Sequence, residues 1–429
     1  MECLNEACVA WGVGWGVTSL IIVMLGVVVA ITVVRARRKR LHMVMEKTRV
    51  ATIELLQTYV EDEDVFQAVL PVGCIDFQPN SPVLAAGGGG RVFKCTATWN
   101  LNSRFELKEE VALKELYGMA FDDTSPESLK ELGKELGVLM KLKHDHIVKF
   151  FGLYLHTVAT KDGASEAPED VAPQRYFLVS QYAANGSMDK HMARPFSEIT
   201  LQQRLQWTRQ LALALHYLHR EHWAHRDVKP QNVLLDSNWN CLLADFGISR
   251  FFGTDAHTLT TKIGTLRYLP PEALGTISDG QVIVTNTGTG TGTGTGTSTG
   301  TGTDTGSRTD AGVGVDANSA GVANAAAPKP EFPTSDNLGE AATAWDVYSF
   351  AVLVASLFNR SVDPHPGLQQ HKVVLAILLN DLRPSLPSVL SKEFHGLLTK
   401  MWQRNFPDRP TFEQVLNELD AIAAPFQES

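Results

Sequence analysis

Two short polar motifs, close together in the chain, constrain the fold more than any other part of the sequence. The first is His225–Asn232, in which Asp227, Lys229 and Asn232 share one short loop, and the second is Asp245-Phe246-Gly247. One carboxylate can accept a proton from an attacking hydroxyl, the other acid and the amide can bind Mg²⁺, and the lysine can neutralise phosphate charge. Either motif alone could be a chance sequence at a helix-to-strand corner, but both in this order indicate phosphoryl transfer.

Together these residues resemble the catalytic loop and the metal-binding turn of eukaryotic protein kinases. The resemblance implies an α+β, bilobal fold, with a small β-rich N-lobe that carries one main helix and a larger helical C-lobe. It implies ATP and Mg²⁺ as cofactors and a protein as substrate. By the same resemblance Asp227 deprotonates the substrate hydroxyl and Lys229 contacts the γ-phosphate, whereas Asn232 and Asp245 hold Mg²⁺. A lysine two residues after the acid is typical of serine/threonine kinases.

A glycine-rich segment, residues 83–94, predicts a strand, a tight turn and a second strand. It is similar to the kinase loop G-x-G-x-x-G-x-V, although Ala85 replaces the first glycine and Gly89 replaces the aromatic residue at the tip. Four consecutive glycines raise the entropic cost of ordering the loop, so we expect weaker ATP binding, not its loss. In this lobe the resemblance implies the following nucleotide contacts: Leu84, Gly87, Gly88, Gly90, Val92 and Ala112.

Lys114 ends the apolar strand Val111–Lys114, which is similar to the V-A-I-K strand of the family. That resemblance implies that Lys114 contacts the α- and β-phosphates. The expected ion-pair partner of Lys114 is Glu135, on a helix whose start is predicted by Ser125-Pro126-Glu127. Glu131, one turn earlier, is the alternative partner, and a solvated helix carboxylate is the alternative role of Glu135.

Residues 180–187 resemble the linker between the lobes. There the adenine would bond backbone groups near Gln181 and Ala183. The small Ser180 would leave the rear of the adenine pocket open.

Downstream residues extend the resemblance. Thr200 and Gln203 predict a capping box for a helix over Leu201–Arg220. The D-V-Y-S-F-type helix around Asp346 is common in the tyrosine-kinase-like group, and Asp346 would brace the backbone of the catalytic loop. Glu272 would pair with Arg409, and a final helix is predicted over residues 412–423.

The activation segment, residues 245–272, contains five threonines, of which Thr254, Thr258, Thr260 and Thr261 are candidate phosphorylation sites. Thr260 and Thr261 are the preferred candidates for phosphorylation, and a phosphate there could pair with Arg226 and order the segment. An unmodified polar loop is the alternative. A homodimer that phosphorylates itself in trans is a further expectation.

An uncharged segment, Trp11 to Val34, is long enough to span a bilayer as a helix. The ten residues before it contain no lysine or arginine, so the positive-inside rule predicts a single-pass protein with a cytoplasmic kinase domain. A cleaved signal peptide would need a basic leader and a shorter apolar core, and a buried core helix is disfavoured by the basic cluster that follows. That cluster consists of Arg35, Arg37, Arg38, Lys39 and Arg40.

These features predict a tail at 1–10, a membrane span at 11–34, a linker at 35–72 and a kinase domain at 73–425. The N-lobe would cover 73–182 and the C-lobe 183–425, with a disordered insert at about 276–340. We expect the linker to be a helical spacer, with a regulatory role as the alternative. The insert contains a run of almost pure Thr-Gly alternation. We expect a repeat expansion that the surface tolerates, with a docking tail or phosphorylated tether as the alternative.

Composition excludes some other classes of protein. The net charge of −9 argues against nucleic-acid binding as the main role. The five cysteines are scattered and have no histidines at metal-binding spacing, so neither a disulfide framework nor a zinc site is expected. Two hypotheses remain: an active membrane-anchored serine/threonine kinase, and a pseudokinase that recruits partners to a membrane.

Overall fold

The computed structural model of the chain divides into two compact units. The first contains residues 1–141 and 150–180, and the second contains 142–149 and 181–429. The residues that the structure describes are 24–25, 27–36, 39–40, 42–43, 45–47, 49–54, 67–78, 80–87, 90–102, 105–116, 136–157, 174–245, 265–274, 276–278, 281–283 and 337–423.

The first unit is built on a six-stranded sheet with strand order β1-β3-β4-β6-β5, in which β2 pairs with β3. The pairs β1–β3, β2–β3, β3–β4 and β5–β6 are antiparallel. The two predicted strands within residues 83–94 are therefore confirmed as the antiparallel pair β2 and β3, whereas Gly88 and Gly89 of the predicted turn lie outside the described residues. The strands are β1 Ile75–Asp76, β2 Val83–Gly87, β3 Gly90–Asn102, β4 Phe105–Leu116, β5 Phe150–Thr157 and β6 Gln174–Gln181.

The chain that precedes the sheet, residues 67–74, pairs with the edge strand β5 and packs Leu70 into the core on one face of the sheet. Leu70 N–H donates to Leu153 O at 2.9 Å, and Leu153 N–H donates to Ala68 O at 2.6 Å. Gly152 has φ +146°, and a Cβ there would collide with the Ala68 carbonyl oxygen, so only glycine fits. This core consists of Leu70, Ile75, Phe77, Phe93, Cys95, Ala97, Val111, Leu113, Tyr154, Phe177 and Val179.

The second unit is mainly helical, with a small three-stranded sheet in the order β7-β8-β9 and a separate pair, β10–β11. Its strands are β7 Gly186–Ser187, β8 Val233–Leu235, β9 Cys241–Leu243, β10 Thr276–Ser278 and β11 Gln281–Ile283. Its helices are α1 Asp189–Met192, α2 Leu201–Arg220, α3 Pro271–Leu274, α4 Leu338–Phe358, α5 Gln370–Asn380, α6 Lys392–Met401 and α7 Phe412–Ala423. The predicted final helix is thus confirmed as α7.

Helix α2 has the predicted bounds, because Thr200 caps it: the Gln203 N–H donates to Thr200 Oγ1 at 3.1 Å. The reciprocal half of the predicted capping box is absent, since the Gln203 side chain instead donates to Trp239 O at 3.4 Å. The inner face of α2 is apolar at helical spacing, with Leu211, Leu215 and Leu218 buried.

Helix α4 has an apolar stretch, Gly339–Phe358, that by length and composition could cross a bilayer. However, 89% of its most apolar window is buried inside the protein, as in the core helix of a globular domain. The predicted span 11–34 lies outside the described residues up to residue 23. Its described part is helical and mainly apolar, and its large side chains are exposed, from 45% at Ile31 to 64% at Leu25.

The predicted linker is helical in its described residues up to 54. Met45 and Thr52, two turns apart on this helix, are buried. Arg49 Nε donates to Val69 O at 3.4 Å, so the helix packs against the chain that precedes the first sheet.

The predicted limits of the insert, 276–340, are too wide at both ends. Residues 276–278 and 281–283 pair as β10 and β11, and α4 begins at Leu338. The β-branched residues Ile277 and Val282, on either side of the sequence Asp279-Gly280, explain this hairpin, since Asp-Gly favours tight turns. The Thr-Gly alternation itself lies outside the described residues.

Candidate active site

The catalytic loop follows α2 and ends in the 3₁₀ turn Pro230–Asn232, just before β8. Lys229 Nζ donates to both carboxylate oxygens of Asp227, at 2.9 and 2.7 Å. Asn232 Nδ2 donates to Asp227 O at 2.8 Å and to Asp227 Oδ2 at 2.9 Å. The structure therefore brings together three predicted site residues around one carboxylate, and each is at most one-quarter exposed.

The second acid, Asp245, lies two residues beyond the end of β9 and is exposed. The Ala244 N–H donates to Asn232 O at 2.9 Å, which fixes the chain just before Asp245 beside the catalytic loop. His225 Nε2 bonds Ala244 O at 2.9 Å. Asp245 has φ +67° and Arg226 has φ +61°, a left-handed backbone that is costly for residues with a Cβ and that concentrates at functional sites.

The buried carboxylate of Asp346, on α4, holds the catalytic loop by its backbone. Its Oδ2 accepts from the His225 N–H and its Oδ1 from the Arg226 N–H, both at 2.7 Å. The predicted brace is therefore confirmed. Asp346 also bonds His219 Nε2 at 2.9 Å, a partner that the sequence analysis did not identify. His219 lies on α2 at the core-facing spacing, and this position was the only sequence signal for it.

The predicted pair of Glu272 and Arg409 is confirmed as a fully buried, bidentate ion pair. The two Arg409 nitrogens lie 2.6 and 2.9 Å from the Glu272 oxygens, and neither side chain is exposed. Arg409 also donates to Ala344 O at 3.1 Å and to Arg404 O at 3.2 Å. The pair therefore ties α3 to α4 and to the chain before α7.

A second anchor of the activation segment, near its end, was not predicted. Arg267 Nη1 donates to Asp363 Oδ1 at 2.7 Å and to His365 O at 3.1 Å, and Tyr268 OH donates to Val362 O at 2.6 Å. Sequence reasoning identified the motif that contains Arg267 and Tyr268. It could not find their partners, because residues 361–368 carry no motif.

The remaining predicted nucleotide contacts in the N-lobe belong to the first unit. Gly87 pairs with Gly90 at the end of the β2–β3 hairpin, and Val92 is the direct cross-strand neighbour of Lys114. Val92, Ala112 and Lys114 are half-buried, whereas Leu84 is more exposed. The following predicted site residues lie outside the described residues: Gly88, Glu135, Thr260 and Thr261.

The predicted linker between lobes begins in the second unit. Gln181 ends β6, its N–H donates to Lys149 O at 2.9 Å, and its Oε1 accepts from Lys149 N–H at 3.3 Å. Ala183 is buried against Val148 and Leu242. Contacts within the second unit therefore hold the backbone of Gln181 and Ala183 in place.

The donor set of the second unit fits Mg²⁺. Because the Asn232 amide nitrogen is used by Asp227, the amide oxygen is the atom left to face a cation. Asp245 adds an exposed carboxylate on the adjacent strand end. Amide and carboxylate oxygens are the ligands that Mg²⁺ prefers.

Comparison with known proteins agrees with this geometry. The sequence model of the protein kinase domain matches residues 80–285, and that of the protein tyrosine and serine/threonine kinases matches 331–419. The matches lie on either side of the Thr-Gly alternation, and together they span more than half of the chain. The chain therefore contains a protein kinase domain and belongs to the protein kinase family.

Several similar proteins carry serine/threonine or receptor kinase names. A probable serine/threonine-protein kinase of Dictyostelium discoideum is 23% identical over 70% of this chain and 16% of its own. The L-type lectin-domain containing receptor kinase SIT1 of Oryza sativa subsp. japonica is 32% identical over 57% and 32%. The ankyrin repeat and protein kinase domain-containing protein 1 of Mus musculus is 23% identical over 82% and 37%.

The chain thus matches between about a sixth and about a third of the length of these relatives.

Proposed function

We propose that the chain is an active, membrane-anchored serine/threonine kinase of the tyrosine-kinase-like group, which transfers the γ-phosphate of ATP to protein hydroxyls. The observation that carries the proposal is the Asp227 carboxylate, held between Lys229 and the Asn232 amide at hydrogen-bonding distance. A carboxylate fixed in this way is suited to orient a hydroxyl and accept its proton.

In this mechanism Asp227 takes the proton of the acceptor hydroxyl, and Lys229 neutralises charge on the transferred phosphoryl group. Asn232 and Asp245 would hold Mg²⁺, which supplies positive charge at the phosphate oxygens. In the first unit Lys114, with Glu135 as its proposed ion-pair partner, would bind the α- and β-phosphates, and the β2–β3 hairpin would offer its backbone N–H groups to them. Gln181 and Ala183 offer backbone groups to the adenine. Positioning and charge neutralisation then account for the rate, without a covalent enzyme intermediate.

A catalytically weak pseudokinase that serves as a membrane-tethered scaffold is the second candidate. Ala85 and Gly89, which depart from the glycine-rich pattern, favour it. The intact set of Lys114, Asp227 and Asn232, together with Asp245, favours the enzyme, because a scaffold does not need these side chains.

The test is phosphotransfer from MgATP to a generic protein substrate by the full chain and by Asp227→Asn. We expect the substitution to lower kcat by at least about a thousandfold with an unchanged Tm, because it removes the base and keeps the shape. Asp145→Asn, at an exposed acid of the same unit, is the matched control and should retain activity. Equal phosphotransfer by the wild type and Asp227→Asn would exclude the enzyme.

The membrane anchor is the remaining part of the proposal. The proposed chain order is an outer tail at 1–10, a membrane span at 11–34, a linker at 35–72 and a cytoplasmic kinase domain at 73–425. The lobes of the kinase domain are at 73–182 and 183–425. Support comes from the exposed, apolar helical residues 27–34 and the basic residues that follow them.

Regulation is proposed through phosphorylation of Thr260 or Thr261, in trans within a homodimer. The phosphate would pair with Arg226 next to the catalytic acid. Mass spectrometry of wild-type chain mixed with a tagged Asp227→Asn chain tests this step: phosphate on the inactive chain supports transfer in trans, and phosphate on neither chain excludes it.

A further inference from the structure

A buried carboxylate joins three strands of the first unit, on the face opposite Lys114. Glu115 follows Lys114 on β4, and since side chains alternate along a strand, the two point to opposite faces of the sheet. Glu115 is 6% exposed. Its Oε2 accepts from Arg91 Nε at 2.9 Å, and its Oε1 accepts from Arg175 Nε at 2.5 Å.

The two arginines are held differently. The Arg175 guanidinium lies over the rings of Phe77 and Phe177, at 5.2 and 5.0 Å from their centroids, so it is part of the core. Arg91 is 45% exposed and lies 5.5 Å from the Phe93 ring. Although burial raises the pKa of Glu115, the hydrogen bonds and charges of Arg175 and Arg91 outweigh it, so its pKa is lowered and the carboxylate stays ionised.

The Arg91–Glu115 ion pair lies between Lys114 and the glycine-rich end of the β2–β3 hairpin. Val92 is the direct partner of Lys114 in the β3–β4 register, so Arg91 and Glu115 form the next cross-strand pair. Arg91 is also the first residue of β3 after Gly90, at the end of the glycine turn. The ion pair therefore links β4 to the residue of β3 that directly follows the run of four glycines.

We propose that Arg91 is a positioning residue for the nucleotide: through its ion pair with Glu115 it holds the Gly87–Gly90 end of the β2–β3 hairpin in register with Lys114. Glycines have no side chains to fix the turn, so ordering it around a phosphate carries a large entropic cost. A link at the base of the turn lowers that cost in the free protein. This inference rests on the proposed function, because it requires that the hairpin binds ATP.

The experiment measures the Kd of MgATP by calorimetry on the full chain in nanodiscs, together with kcat and KM for ATP. We expect Arg91→Gln to raise Kd and KM about fivefold with kcat within about twofold, as for a coupled contact that organises binding and leaves the chemistry intact. Arg91→Lys, which keeps a cation within reach of Glu115, should recover most of the affinity. A purely structural role would instead lower Tm with no selective effect on KM.

Glu115→Gln separates positioning from a direct effect of the Arg91 charge on the phosphates. This variant keeps Arg91 but breaks its ion pair, so it should raise KM as Arg91→Gln does, and the double variant should be no worse than Glu115→Gln alone. If the Arg91 charge acted directly, Glu115→Gln would leave KM unchanged or lower it, and the inference would be wrong.

Lys94→Gln is the matched control, because Lys94 pairs with Glu110 across the same two strands at 2.6 Å, and its partner carboxylate is 58% exposed, unlike the buried Glu115. Its Kd should equal that of the wild type. Equal Kd values for the wild type and Arg91→Gln would overturn this inference alone. An absence of MgATP binding by the wild type would overturn the proposed function and this inference with it.

Discussion

Asp346 shows how one buried residue serves the catalytic loop. Its two oxygens accept the N–H groups of His225 and Arg226, and this contact fixes a backbone that is left-handed at Arg226. Asp346→Ala would leave the buried His225 N–H without an acceptor, at a cost of about 1–3 kcal/mol, and would also remove the part-buried hydrogen bond to the Arg226 N–H. We expect a lower Tm and a kcat at least tenfold lower, measured by calorimetry and phosphotransfer. Full activity in the alanine variant would show that the brace is dispensable.

His365 predicts a pH dependence of stability. Burial lowers its pKa to about 4, with Asp363 raising it and Arg267 and Arg383 lowering it. Unfolded histidine titrates near 6.5, so the unfolded chain binds more protons between those values. The stability due to neutral His365 is therefore complete above pH 6.5 and is lost as the pH falls toward 4.

We expect protonation of His365 to lower the free energy of unfolding by about 2–3 kcal/mol between pH 7 and pH 4.5. The measurement is urea unfolding at both pH values, for the wild type and for His365→Gln. The variant should lose correspondingly less stability on acidification. Parallel pH profiles for the two proteins would contradict the assignment.

Between elements, the pair of Glu272 and Arg409 joins α3 to the chain before α7 with no exposure of either side chain. Removing one partner leaves the other charge buried and unpaired, which costs about 3–5 kcal/mol. Arg409→Met should therefore lower the free energy of unfolding by that amount, as measured by denaturant titration. Arg209→Met is the control, because its ion pair with Asp420 is half-exposed and should contribute about 1 kcal/mol or less.

Across the whole molecule, the proposed anchor makes a simple prediction. Deletion of residues 1–34 should move the chain from the membrane fraction, where carbonate does not extract it, to the soluble fraction. The kcat of the truncated protein should be unchanged, since the predicted site residues all lie downstream. A full-length chain that carbonate extracts would show that the segment does not span a bilayer.

The Thr-Gly alternation allows a second test at this scale. Replacing residues 287–330, which lie between the two matched regions, with a short Gly-Ser linker should leave Tm within about 2 °C and kcat within about twofold, because closure entropy changes only slowly with loop length. Loss of phosphorylation of a protein partner, with phosphotransfer to a generic substrate intact, would instead favour the docking tail.

Much of the second unit could be predicted because its signals are local. The Thr200 cap defined the start of α2, and helical spacing defined its buried face. Motif order then supplied the partners Asp346 for the catalytic loop and Arg409 for Glu272, both confirmed by contacts. The limits of the insert were predicted wrongly, because the short β10–β11 hairpin directly precedes a stretch of biased composition and was included with it.

The sequence by itself determined the protein kinase family and the residue types available for the chemistry, because these depend on short motifs and their order. Only the tertiary structure decided which distant residues meet: His219 with Asp346, Arg267 with Asp363, and Arg91 and Arg175 with Glu115. The physical reason is that an ion pair or buried hydrogen bond needs two groups within about 3 Å, whatever their separation along the chain. That distance is set by packing, and no local pattern encodes it.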